Sequence, residues 1–141
     1  MRRGAATMAW ECYSMPQVSA AERLDRLTAL CLALPEARRE DKGDHAAFLV
    51  RKKTFAYYLN DHHGDGIVSV CCKVLPGENQ HLVNANPRKF YLPAHIASRG
   101  WVGLRLDLAS VDWSEVKELV RGSYMQVAPR KALALLEKQP N

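Results

Sequence analysis

A chain of 141 residues with net charge +5, 48% hydrophobic and 25% charged side chains has the size of one domain and an ordinary globular composition, which excludes wholesale disorder, collagen-like repeats and a coiled coil. No stretch approaches the roughly 18 apolar residues of a membrane span, and an isoelectric point near 9.2 admits an anionic partner without requiring one. Cys12, Cys31, Cys71 and Cys72 lack CxxC or zinc-finger spacing, so reduced thiols in a cytoplasmic protein are expected, with no metal and no cofactor.

Residues 1–18 begin with two arginines, but Thr7, Glu11 and Ser14 interrupt any apolar run. A secretory signal is not expected there. The segment reads as a poorly ordered leader, with Met15 a second usable start, ahead of a single domain over 19–141. Ser19 and Glu22 make a capping box, and Leu24, Leu27, Cys31 and Leu34 recur at helical spacing until Pro35, which predicts an amphipathic helix of about four turns. The period then changes to two. HAAFLV, TFAYYLN and GIVSVCCKV read as three strands joined by RKK and DHHGDG, an antiparallel meander to which ARRED can add an edge strand.

Pro76 and Gly77 stop the third strand, and ENQHLVNA predicts one or two helical turns ending at Asn86. RKFYLPAHIASRG leads to a strand, WVGLRLDL. Asp112 and Glu115 then form a second capping box, with Val111 and Val116 as its hydrophobic staple. They open a helix expected over 113–122, and Pro129 suits the first turn of a last helix through ALALLEK. This order defines an α+β protein, an antiparallel sheet with helices packed on one face. Alternation assigns Phe48, Val50, Phe55, Tyr57, Leu59, Val68, Val70, Cys72, Leu104 and Leu106 to the covered face. His45, Ala47, Leu49, Thr54, Ala56, Tyr58, Ser69, Cys71, Lys73, Trp101, Gly103 and Arg105 fall on the open face.

The phrases RGWVGLRLD, Asp112–Trp113 and SYMQVAPRKAL, with the opening helix ending in LPE and the strand pair FLVRKKTFAYYL, resemble the MmcQ/YjbR family over about residues 20–137. The resemblance implies a frataxin-like (CyaY-like) two-layer sandwich. It also implies DNA binding, in a double-wing arrangement of hairpins. Many relatives carry a longer basic or aromatic loop before the tryptophan, where this chain has AHIASRGW. Frataxin-style iron binding is not expected, because the first helix offers only Glu22 and Asp25 as acids against Arg23 and Arg26.

On that reading Arg51, Lys52 and Lys53 form one wing against phosphates, Arg99 and Arg105 add cations, and Trp101 offers a stacking platform. Tyr58 and Lys73 extend the same ligand face. An alternative is a small-molecule or protein-interaction module using Trp101, Tyr58 and Arg105. The expected partner is DNA, with no membrane, and the expected state a monomer or weak homodimer. Asp61, His62, His63 and Asp65 are adjacent rather than convergent, so a polar loop is expected and not a metal site. No GxSxG, Walker A or HExxH motif occurs. Cys71 and His45 are at most a chance thiolate pair, and a non-enzymatic protein with no catalytic residues is expected.

Overall fold

The computed structural model describes residues 20–139. The expected leader, the Ser19 cap and Cys12 lie outside the described residues. Helix α1 (Ala20–Leu32) is followed by strands β1 (Ala37–Lys42), β2 (His45–Val50), β3 (Lys53–Asn60) and β4 (Val68–Lys73). Helix α2 (Glu78–Ala85), the short β5 (Phe90–Tyr91), β6 (Trp101–Arg105) and helices α3 (Trp113–Val127) and α4 (Arg130–Glu137) complete them. The six strands form one antiparallel sheet in the order β1, β2, β3, β4, β6, β5. This is the expected α+β arrangement, with ARRED realised as the edge strand β1.

The core lies between one sheet face and the helices. Leu27 and Cys31 of α1, Val116, Val120 and Tyr124 of α3, and Ala132 and Leu136 of α4 pack on Phe48, Val70, Cys72, Val102 and Leu104. Each fully buried large side chain contributes about 2 kcal/mol by removing apolar area from water. Tyr124 is buried with its hydroxyl donating to the Pro35 carbonyl at 2.6 Å. Its ring meets Phe55 edge-on, 5.3 Å between centroids.

Helix α3 runs five residues beyond the expected end at 122. Gly122 costs a helix about 1 kcal/mol, but the next turn buries Ser123 and Tyr124 against the sheet, and packing outweighs propensity. Asp112 caps α3 as expected, accepting from the backbone N–H groups of Ser114 and Glu115 at 3.0 and 3.3 Å.

The main correction concerns β3. Phe48 pairs with Ala56, but Leu49 pairs with Thr54, so Phe55 is an extra residue in the ladder. Such a bulge sends two successive side chains to one face, and Phe55 and Ala56 are both fully buried in the core. Every later residue of β3 changes face. Tyr58, expected on the open face, is 1% exposed within the core cluster, whereas Tyr57 and Leu59 stand on the open side. Ser123 of α3 stitches the irregularity, donating its hydroxyl to the Phe55 carbonyl at 2.6 Å and accepting from the Lys73 N–H at 2.9 Å.

Candidate functional site

β2 ends, β3 begins, β4 ends and β6 begins at one end of the sheet. That brings together the hairpin tip Arg51, Lys52 and Lys53, the Lys73 side chain, and Arg99 in the turn preceding β6. The junction is held by the Val74 N–H donating to the Gly100 carbonyl at 2.8 Å. Gly100 itself has φ of 92°, a left-handed conformation that lets the chain swing from the Ala97–Arg99 turn into β6. Lys131 of α4 belongs to the same end, since its charge acts on Glu36 at the start of β1.

These cations differ in what already engages them. Arg51 forms an ion pair with Glu36, and its hydrogen bond, with its charge, holds the Glu36 carboxyl below the usual range. Lys52, Lys53 and Arg99 are exposed and form no ion pair with another described residue. Arg105 stands at the opposite end of β6, where its Nε and Nη2 bind both oxygens of Asp107 at 3.0 and 2.9 Å. Burial pushes the Asp107 carboxyl up, but the Arg105 hydrogen bond and charge outweigh it and hold the group below its ordinary value. Trp101 is only 9% exposed and packs on Tyr57, ring centroids 5.2 Å apart. The surface expected from Trp101, Tyr58 and Arg105 is therefore not assembled: one packs under cover, one lies in the core, and one is paired elsewhere.

The cover is the segment between β5 and β6, which folds back over the β4 and β6 side of the open face. Tyr91 lies directly opposite Gly103, and its ring occupies the space where a side chain at 103 would stand: a Cβ built there comes 2.3 Å from Cε1 of Tyr91. The Tyr91 hydroxyl and Ser69 Oγ are 2.6 Å apart, with Cys71 Sγ at 3.7 Å from the hydroxyl. Ser69 and Cys71 are fully buried beneath it. Asn79 of α2 ties the segment down. Its amide donates to the carbonyls of Ala97 at 2.8 Å and Trp101 at 3.1 Å.

Cys71 and Cys72 point to opposite faces, and the described cysteines are free thiols. Burial pushes the Cys71 thiol up to about 11. His45 stands two strands and two residues away along the ladders, so Cys71 and His45 form no pair. His45 Nδ1 instead accepts from the Asn60 N–H at 3.1 Å. A backbone N–H can only donate, which leaves Nε2 as the hydrogen-bearing atom. Among the described residues no three His, Cys, Asp or Glu side chains gather as a metal site.

What the cover leaves free of the open face is a groove of about 840 Å³. Ala47, Thr54, Tyr57 and Leu59 make its floor, and Tyr91, Leu92, Pro93 and Ile96 its wall. His45, His62 and Asp65 close one end, with Glu40, Asp41 and Lys42 along the β1 rim. Sequence reading missed this groove, because β3 was placed one face out and the roofing segment shows no regular period.

Fold and surface together define an α+β protein with a half-roofed antiparallel sheet and a basic end. The chain belongs to the YjbR family, whose sequence profile matches residues 32–126. No curated protein matches it. Among solved structures, the crystal structure of Deinococcus radiodurans protein DR2400, which carries a DUF419 domain, is similar at 25% identity and a TM-score of 0.61, covering 82% of this chain and 83% of that one. No helix of the described residues is long and apolar enough to cross a membrane.

Proposed function

We propose that this YjbR-family protein is a non-enzymatic binding protein that holds DNA along the basic end of its sheet. The observation that carries this reading is the convergence of Lys52, Lys53, Lys73 and Arg99, from three separated stretches of chain, on one end of the sheet. The β2–β3 hairpin is then one wing and the turn before β6 the other. Lysines and a single arginine on turns and strand ends act on phosphates, which position a duplex but carry no sequence information. With Trp101 packed and Arg105 paired to Asp107, neither stacking nor base reading is part of the proposal, so the binding is expected to be insensitive to sequence.

The test is fluorescence anisotropy of labelled duplex DNA over a salt series. Each phosphate contact contributes a slope of about −0.9 in log K against log salt. Replacing Lys52, Lys53 and Arg99 by alanine together is expected to flatten the slope by about 2 to 3 units, while Arg105→Ala leaves it unchanged. A wild type that fails to bind at low salt, or a triple variant with the wild-type slope, overturns the proposal.

A further inference from the structure

The basic end of the sheet holds a carboxylate among its cations. The fold fixes Glu36 there: the preceding Pro35 carbonyl accepts the buried Tyr124 hydroxyl at 2.6 Å, the following Ala37 N–H donates to the Leu34 carbonyl at 3.2 Å, and Glu36 between them takes a left-handed φ of 61°. Its carboxylate accepts from Nε of Arg51, the first residue of the β2–β3 hairpin tip, which is itself left-handed with φ of 57°. Arg38 holds that tip from the other side, its Nη2 donating to the Arg51 carbonyl at 3.1 Å. Two residues in a conformation that side chains rarely adopt are thus joined to each other, in the hairpin proposed to meet phosphates. Lys131 of α4 adds its charge to the same carboxylate.

We infer that Glu36 is a brake on the basic end: it stands in for a phosphate, keeps Arg51 off DNA and weakens the pull of the cations around it. This rests on the DNA binding proposed above and names what limits it. A guanidinium offers the same N–H donors to a carboxylate and to a phosphate, so the Nε donor given to Glu36 is withheld from a DNA phosphate. Lys52 and Lys53, next along the tip, carry no such partner among the described residues, and the brake falls on Arg51 alone of the three. Both members of the pair are exposed, and exposed pairs add little to stability. Removing the carboxylate therefore changes what the hairpin tip attracts far more than whether the protein folds.

The test is the anisotropy salt series on duplex DNA with variants of this pair. Glu36→Gln is expected to tighten binding at least about fivefold at roughly 0.1 M salt and to steepen log K against log salt by about 1 to 2 units, one contact for Arg51 and up to one for Lys131. Arg51→Ala is expected to weaken binding severalfold with the wild-type slope, because it bares the carboxylate without removing a contact. Combining it with Glu36→Gln gives back about one unit of the gained slope. Glu36→Gly suits the left-handed φ and should match Glu36→Gln, which separates lost charge from relieved backbone. Wild-type binding without a steeper slope in the Glu36 variants, a gain undiminished by Arg51→Ala, or an Arg51→Ala slope about one unit shallower than wild type would each overturn the brake and leave the DNA reading standing. Failure of the wild type and of both Glu36 variants to bind at low salt overturns the two together, whereas binding by the Glu36 variants alone upholds the brake and overturns the wild type as a DNA binder.

Discussion

Gly103→Ala is the sharpest probe of how the open face is covered. The added Cβ would lie 2.3 Å from Cε1 and 2.5 Å from Cζ of Tyr91, where carbon atoms require about 3.5 Å. Gly103 itself gives no reason to yield, since an alanine in a strand ordinarily gains about 0.5 kcal/mol over glycine through lost unfolded-chain entropy. The ring must move, and it is pinned twice, by the β5–β6 pairing at Tyr91 and by the 2.6 Å contact between its hydroxyl and Ser69 Oγ. Displacing it leaves the fully buried Ser69 with only Cys71 Sγ at 4.0 Å. Stripping a buried hydroxyl of its partner costs about 1–3 kcal/mol, and crowding a packed site costs a similar amount. The expected loss is about 3 kcal/mol in urea denaturation. Made on top of Tyr91→Ala, the same substitution is expected to be neutral or slightly stabilising, which gives a coupling of about 3 kcal/mol in a double-mutant cycle. A loss below about 1 kcal/mol, or one that persists without the Tyr91 ring, refutes the reasoning.

Two further outcomes follow from buried polar groups. Ser123→Ala leaves the Phe55 carbonyl and the Lys73 N–H without the hydroxyl that joins them, and a loss of about 2–3 kcal/mol is expected in urea denaturation; a change under 1 kcal/mol would show that the bulge does not depend on this stitch. The Cys71 thiol, raised by burial from 9.0 to about 11, keeps its proton in the folded state where the unfolded chain has released it. The Cys71 contribution is therefore intact below about pH 9 and takes about 2–3 kcal/mol from stability as pH rises toward 11, and the buried Cys31 and Cys72, shifted in the same direction, deepen the fall. Urea midpoints flat from pH 8 to 11 would contradict this.

The elements with a clean period were legible. Alternation placed Val70 and Cys72 against Cys71 and Lys73 correctly in β4, and Leu104 against Gly103 and Arg105 in β6, because one apolar set faces the helices. It failed in β3 because the sequence TFAYYLN supports either phase. Phe55, Tyr57 and Leu59 form as good an apolar row as Phe55, Ala56 and Tyr58, and no glycine marks the bulge that chooses the second. Gly103 was visible as an anomaly, but its cause lies twelve residues upstream in Tyr91, a contact no local pattern encodes. Asn79 was missed for the same reason. A polar residue in a short exposed helix gives no sign that it will be 9% exposed and that its amide will hold two carbonyls of another segment.

Trp101, Gly103 and Arg105 look like a recognition row only while they are taken as exposed. Each is satisfied within the fold: the indole by the Tyr57 ring, the glycine by the Tyr91 ring, and the guanidinium by Asp107. Satisfying that row divides the remaining surface by charge. Lys52, Lys53, Lys73, Arg99 and Lys131 stand at the end of the sheet where β3 begins, whereas Asp41, Asp44, Asp61, Asp65 and Asp107 lie at the end where it finishes, with Lys42 and Arg105 among them. Charges more than about 10 Å apart on a protein surface are largely screened at ordinary salt, so the two ends present separate fields rather than cancelling into one weak field. A net charge of +5 therefore understates both, and charge-removing substitutions at the acidic end are expected to leave the salt dependence of DNA binding at the basic end unchanged, read by the same anisotropy series.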